Sequence, residues 1–231
     1  MAVEKGDLVK IEYTAYTKSG DVIDTTDAEK AKKGGIFDPK KKYGAVVIHA
    51  GHNDVLEGVD EGIIGMEENV PKEFEIPPEK AFGKRNEDLV RIIPLKQFRE
   101  ANINPVPGQV INIDNTPATI RAVNSGRVVV DFNHPLSGVP LKYEVKVLKD
   151  AKSLQDKALL LSEKYEMKAD VKVSGDNVSV DLGVSIFDDK RARDSAAVAL
   201  IARELKEHGA KKVQFKGEWK LSDESANKKE H

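Results

Sequence analysis

Cysteine is absent from the 231 residues of this chain, which removes disulfides, thiolate nucleophiles and cysteine metal sites together. Charge of one sign is missing too: 37 Lys and Arg stand against 39 Asp and Glu, for a net −2. That balance gives no global basic field for a polyanion, so no nucleic-acid partner is expected. Lys30, Lys32, Lys33, Lys40, Lys41 and Lys42 do cluster, but without aromatics in register, and read as a solvated loop. No stretch approaches the roughly 20 apolar residues of a membrane helix. No apolar run follows Met1-Ala-Val-Glu-Lys, so no secretion signal is expected. A soluble cytoplasmic protein with no membrane contact is the plain expectation.

Chemistry-bearing sets are equally scarce. No Ser-His-Asp or Cys-His arrangement is supported, and no G-x-x-x-x-G-K-[ST] phosphate cradle occurs. The histidines are His49, His52, His134, His208 and His231. His49 and His52 could chelate on a turn, but no third ligand is evident. No cofactor and no specific metal site are expected.

What is present is strand-like alternation. Val9, Ile11, Tyr13 and Ala15 share one face and Lys10, Glu12 and Thr14 the other, as in a half-buried strand. Lys18-Ser-Gly-Asp21 makes a plausible hairpin turn into Val22-Ile23-Asp24. Residues 27–44 read as a long exposed loop with Phe37 and Tyr43 as lid residues. Val70, Lys72, Phe74 and Ile76 form a further strand. Leu141, Tyr143, Val145 and Val147 alternate with Lys142, Glu144 and Lys146 as the clearest strand of all. With one brief helix at 59–66, these elements predict an α+β half-barrel. A chain of this length has room for about two or three small domains.

Residues 84–132 have a different texture. Leu89-Val90-Arg-Ile92-Ile93-Pro-Leu is an apolar run, and Pro94 to Glu100, with Phe98, predicts a helical turn. Residues 110–113, 118–123 and 127–131 read as strands. So small a β-rich domain covers its apolar surface poorly, so part of it is expected to face solvent. After Asp150 the pattern becomes helix, hairpin, helix, strand. Leu154, Ala158, Leu161 and Tyr165 recur at helical spacing, as do Ala197, Leu200, Ile201 and Leu205. Between them Val171 and Val173 pair across residues 174–177 with Val178, Val180 and Leu182. Val213 and Phe215 mark a last strand, and 222–231 a polar tail expected to be disordered.

The most informative segment is Asp54-Val-Leu-Glu-Gly-Val-Asp-Glu-Gly-Ile-Ile-Gly65. It holds no side chain for covalent chemistry. Val55, Leu56 and Val59 are apolar, and Gly58 is expected to turn the backbone sharply into the short helix. The segment resembles the pocket floor of FKBP-type peptidyl-prolyl isomerases. Its flanks agree: Val9-Lys-Ile-Glu-Tyr13-Thr, Val22-Ile23-Asp24-Thr25-Thr26, Pro77-Pro78-Glu-Lys-Ala81-Phe82-Gly83, and Asn133-His-Pro-Leu136-Ser-Gly138 before Leu141-Lys-Tyr143. The separation of Gly83 from Asn133 resembles the subgroup with a domain inserted in the flap, the SlyD-like and long archaeal-type members. The resemblance covers residues 3–150.

It implies an isomerase domain at 1–83 plus 133–150, an insert-in-flap chaperone domain at 84–132, and a C-terminal α+β domain at 151–221. It implies a proline-binding pocket of Tyr13, Ile23, Asp24, Val46, Val55, Leu56, Val59, Phe82, Leu136 and Tyr143. The Leu56 N–H would hold a substrate carbonyl, and Asp24, bonded to Tyr13, would orient rather than shuttle a proton. Val59 departs from the tryptophan of the best-known members, which should weaken macrolide binding. Leu89, Val90, Ile92, Ile93 and Phe98 would serve as a client surface. Unfolded or nascent polypeptides and X-Pro peptides are the implied partners. In long archaeal-type members a similar extension is linked to dimers, which implies a homodimer contact here.

Each residue has a plainer reading. Tyr13 and Tyr143 on apolar strand faces would be core residues in most proteins. Asp24 beside two threonines would more often be a turn or cap, and Phe82 could staple a loop. Two functions remain: a prolyl isomerase whose insert captures unfolded chains, or a holdase with a vestigial pocket.

Overall fold

The computed structural model describes the backbone of residues 2–167, 169–186 and 191–220, and side chains within 2–167, 169–181 and 196–216. In chain order the elements are β1 (Leu8–Thr17), β2 (Val22–Thr25), α1 (Ala28–Lys33), β3 (Val46–His49), α2 (Glu57–Ile63) and β4 (Pro71–Ile76). Next come β5 (Val90–Pro94), α3 (Leu95–Glu100), β6 (Val110–Ile113), β7 (Thr116–Asn124) and β8 (Arg127–Asp131). The chain closes with β9 (Leu141–Ala151), α4 (Leu154–Lys164), β10 (Asp170–Ser174), β11 (Asn177–Ile186), α5 (Arg191–Glu207) and β12 (Lys212–Lys220). The described residues form an α+β arrangement with three sheets. Among the described residues no helix is long and apolar enough to cross a membrane.

By contacts these residues form two compact units. The first comprises the described parts of Met1–Ala15, Val22–Phe74 and Tyr143–His231; the second is Tyr16–Asp21 with Glu75–Lys142.

Around the first unit's central strand the order is β2-β1-β9-β4, with β3 also on β1. The β1–β3 pair is antiparallel, Leu8 opposite His49 and Ile11 opposite Val46. Strand β1 is buried on both faces at its start. Val9 and Ile11 are fully buried, while Leu8 belongs to a cluster with Ala158, Leu161, Val180, Ile201 and Leu205 from the C-terminal segment. Val47 packs against the same cluster, whereas its neighbour Ile48 is buried at 4 % exposure. Alternation along a strand sends neighbours to opposite faces, so β1 and β3 each serve two cores.

The C-terminal segment has the predicted helix, hairpin, helix, strand order. Strand β10 pairs antiparallel with β11, and β11 pairs parallel with β12. A parallel pair needs a crossover, and α5 supplies it. Ser153 caps α4 by accepting from the Asp156 N–H at 3.0 Å. Ala197, Ile201 and Leu205 are buried on α5, but Leu200 is 39 % exposed and lies off the stripe. The side chain of Leu182 and the tail 222–231 lie outside the described residues.

Two expectations are corrected here. Residues 27–44 are not all loop: α1 forms because the Asp27 Oδ1 accepts from the Glu29 and Lys30 N–H groups at 2.7 and 3.1 Å. That N-cap was hidden among glycines and lysines. Phe37 and Tyr43 stack on each other, with centroids 5.3 Å apart. Gly58 sits inside α2 and is buried. The left-handed turns come earlier, at Gly51 (φ 79°) and Asn53 (φ 59°). The glycine that α2 needs for space is Gly62, where a Cβ would lie 2.4 Å from the Phe74 ring.

In the second unit four strands run in the order β5-β8-β7-β6, all antiparallel. Phe98 from α3 joins Ala118, Ile120, Val128 and Val130 in its core.

Candidate active site

Strand order places the pocket residues of the first unit. Because β1 lies between β2 and β9, Tyr13, Asp24 and Tyr143 come from three neighbouring strands. The Tyr13 hydroxyl donates to Asp24 Oδ2 at 2.8 Å, and the two tyrosine rings lie 5.8 Å apart at 39°. Asp24 Oδ1 accepts from the Thr25 N–H at 2.9 Å and also pairs with Lys41. Burial, reinforced by the Asp24 charge and hydrogen bond, pushes the Tyr13 hydroxyl pKa above its ordinary value. Burial and the Asp24 charge push Tyr143 up to about 12. Both phenols are therefore neutral donors across ordinary pH, not bases.

Threonines lock the backbone beneath Tyr13. Its N–H donates to Thr26 Oγ1 at 3.0 Å, and its carbonyl accepts from the Thr25 and Thr26 hydroxyls at 3.1 and 3.2 Å. Thr14 and Thr25, both buried, share a hydroxyl–hydroxyl bond of 2.9 Å. Ile23 and Val46 are half-buried.

The start of α2 is apolar. Val55 and Leu56 are half-buried and Val59 is 2 % exposed. The Leu56 carbonyl accepts from the Val59 and Asp60 N–H groups at 2.8 and 2.9 Å. Helix geometry leaves the first N–H groups of such a turn without intrahelical partners. Asp60, 3 % exposed, accepts from Gly51 N–H at 2.7 Å and Asn53 N–H at 2.8 Å, fastening the preceding loop. A cleft of about 330 Å³ beside Tyr13 is charged, lined by Glu12, Asp27, Lys30, Glu144 and Lys146.

Phe82 and Leu136 belong to the second unit. The Phe82 ring stacks on His134 at 4.3 Å and 6°, and its carbonyl accepts from the Ser137 hydroxyl at 3.1 Å. The Leu136 N–H donates to His134 Nδ1 at 3.2 Å. His134 thus joins the two loops that the sequence motifs named separately.

Comparison with known proteins decides the family. A model described as FKBP-type peptidyl-prolyl cis-trans isomerase matches residues 1–98, and one described as FKBP26, IF domain matches 91–136. The short-type peptidyl-prolyl cis-trans isomerase of Methanocaldococcus jannaschii is 39 % identical over 145 residues, covering 63 % of this chain and 92 % of the relative. The chain belongs to the FKBP-type peptidyl-prolyl cis-trans isomerases. The SlyD protein of Treponema pallidum is 31 % identical over 144 residues, 61 % of this chain and 73 % of that one. A 16 kDa FKBP-type isomerase of Escherichia coli is 24 % identical over 152 residues, 64 % and 93 % respectively.

Within this FKBP-type chain, the residues expected to form a client surface divide by burial. Phe98 is 4 % exposed and Ile93 packs on the same core. Leu89 and Ile92 are 37 % and 64 % exposed, and Val90 is intermediate. Val106 and Val110, at 53 % and 62 %, are exposed apolar residues that sequence reading did not single out. It also passed over Thr14, Lys41 and Asp60, whose value lies in partners far along the chain.

The second unit is fastened at Asp131, whose side chain is fully buried. It pairs with Arg85 at 2.6 Å and Arg121 at 2.9 Å, and accepts from Asn133 N–H at 3.0 Å and Nδ2 at 2.8 Å. Burial opposes its ionisation, but Asn133, Arg121 and Arg85 more than offset that and lower its pKa to about 2. Asn133 in turn exchanges two 2.8 Å bonds with the Asn86 backbone, tying the segment that leads into β5 to the one that leaves β8.

Proposed function

We propose that this FKBP-type chain catalyses cis–trans isomerisation of X-Pro bonds and captures unfolded polypeptide through its insert. The Tyr13–Asp24–Tyr143 cluster carries the reading. Rotation about a peptide bond costs about 18–20 kcal/mol because resonance is lost. Resonance moves charge from nitrogen to oxygen, so water favours the planar amide. An apolar enclosure withdraws that preference, and the twisted state, with its less polar carbonyl, binds relatively better. Catalysis is then differential binding, at about 1.4 kcal/mol per tenfold in rate. No nucleophile is required.

In this proposal Tyr13 and Tyr143 grip the proline ring, with Ile23, Val46, Val55 and Val59 as apolar walls. The Leu56 N–H holds a substrate carbonyl. Asp24, fixed by Tyr13, Thr25 and Lys41, orients and polarises the site. Ile92, Val110, Val106 and Leu89 form the client surface, since their exposure favours capture of apolar segments. We assign residues 1–83 plus 133–150 to the isomerase domain, 84–132 to the insert and 151–221 to a C-terminal domain that could pair two copies. The cytoplasm is the proposed compartment. The cis-to-trans rate of a short proline peptide tests the enzyme: acceleration supports it, while an unchanged rate leaves the holdase.

A further inference from the structure

A second polar cluster gathers where β3 ends, and the pocket reading gives it no role. The His49 side chain, 14 % exposed, is met at both ring nitrogens. Nε2 lies 3.3 Å from Glu204 Oε2 on α5. Nδ1 lies 2.9 Å from Lys164 Nζ at the end of α4 and 3.3 Å from Asp54 Oδ2. Lys164 donates to that same Asp54 oxygen at 3.1 Å, and the His49 backbone N–H donates to it at 3.0 Å. The Tyr165 hydroxyl donates to Glu204 Oε1, while among the described residues Glu204 Oε2 is buried with only the His49 approach to satisfy it. The His208 ring stacks over His49 at 6.0 Å. Among the described residues no group converges as metal ligands would.

Asp54 makes this cluster matter to the pocket. It directly precedes Val55 and Leu56, and its loop carries left-handed backbone at Gly51 and Asn53. A non-glycine residue in that region costs about 1 kcal/mol or more and persists only where surroundings hold it. Asp60 holds the loop from the α2 side through the Gly51 and Asn53 N–H groups. Lys164 and Glu204 hold it from the C-terminal helices, through Asp54 and His49. Burial disfavours the Asp54 charge, but the His49 N–H, Lys164 and the His49 ring outweigh it and lower the carboxyl pKa. Exposed ion pairs contribute little; these side chains are 14–31 % exposed and converge on one loop from three elements.

We propose that Lys164 and Glu204 are positioning residues for the isomerase pocket: the C-terminal segment clamps residues 50–54 and so sets the Leu56 N–H and the Val55 side chain. This rests on the pocket reading above. Removing Lys164 leaves the Asp54 carboxylate without its cation and frees the loop. Because Leu56 would bind the substrate carbonyl in planar and twisted states alike, the loss falls on KM rather than kcat.

The test uses the full chain with Lys164→Met, Lys164→Arg and Glu204→Gln. Amide hydrogen exchange is followed over residues 51–56, with KM and kcat for a proline tetrapeptide. Lys164→Met is expected to speed exchange about tenfold and raise KM about fivefold with kcat within about twofold; Lys164→Arg restores both. A folded Lys164→Met protein with parental exchange and KM overturns the proposal, even if it melts earlier. Should Lys164→Met not fold, Glu204→Gln decides, with changes of about threefold expected in the same direction and parental values overturning it. If the parent lacks isomerase activity the pocket reading fails, and exchange alone then judges the clamp.

Discussion

Asp24 and Asp131 both face cations, but their surroundings give them opposite work. Asp131 is fully enclosed in the second unit by two guanidinium groups and both Asn133 donors. Asp24 in the first unit keeps 37 % of its side chain exposed and shares itself between a tyrosine hydroxyl, a backbone N–H and one lysine. A buried carboxylate whose acceptor sites are filled by its own chain is a joint. One that remains partly open beside neutral phenols and aliphatic side chains can meet a ligand. Enclosure, not residue type, separates the structural aspartate from the one we propose as functional.

The sharpest way to break this contrast is to remove each carboxylate. Asp131→Ala empties a fully buried acceptor and leaves buried Asn133 without its partner, while Arg85 and Arg121, each 44 % exposed, turn to solvent; it should destabilise the second unit by about 1–3 kcal/mol. Denaturant melts and hydrogen exchange at Val128 and Val130 would show it; a change under about 1 kcal/mol would mean that the joint is dispensable. Acid should do the same more gently. The folded pKa of Asp131, about 2, lies below the ordinary 3.8, so its contribution is present above pH 3.8 and lost as pH falls toward 2. The amount is about 2 kcal/mol. In the Asp131→Ala protein that acid-labile portion should vanish.

Several features of this contrast were legible in the sequence. The alternation of Val9, Ile11, Tyr13 and Ala15, and of Leu141, Tyr143, Val145 and Val147, located two central strands because sheets bury alternate residues. The insert announced itself as aliphatic runs between Gly83 and Asn133, and its strands at 110–113 and 127–131 match the expected spans. What periodicity could not show was pairing across distance. Thr14 meets Thr25, Asp60 reaches back to Gly51, and Lys41 reaches Asp24 across the α1 segment. Burial within a small domain was likewise unreadable: Phe98 and Ile92 look alike as apolar letters, yet one is core and the other surface.

For the pocket, Asp24→Ala should lower kcat/KM on a tetrapeptide about tenfold, equivalent to about 1.4 kcal/mol, with little change in melting. Tyr13→Phe keeps the ring and should cost about threefold. If both variants match the parent, the cluster is ordinary core and the difference between the two aspartates is one of exposure alone.

The smallest expected effect tests the insert's surface rather than its joint. Ile92 on β5 and Val110 on β6 lie on the sheet's two edge strands and are its most exposed aliphatic residues. A charge placed at either meets solvent, so folding should change by less than about 0.5 kcal/mol. Ile92→Asp with Val110→Asp should slow proline-limited refolding of an unfolded protein about threefold relative to parent, because client concentration near the pocket falls. The tetrapeptide rate should stay at the parental value, since a short peptide gains nothing from the insert. Equal losses on both substrates would place the damage in the pocket and remove the division of labour between the two units.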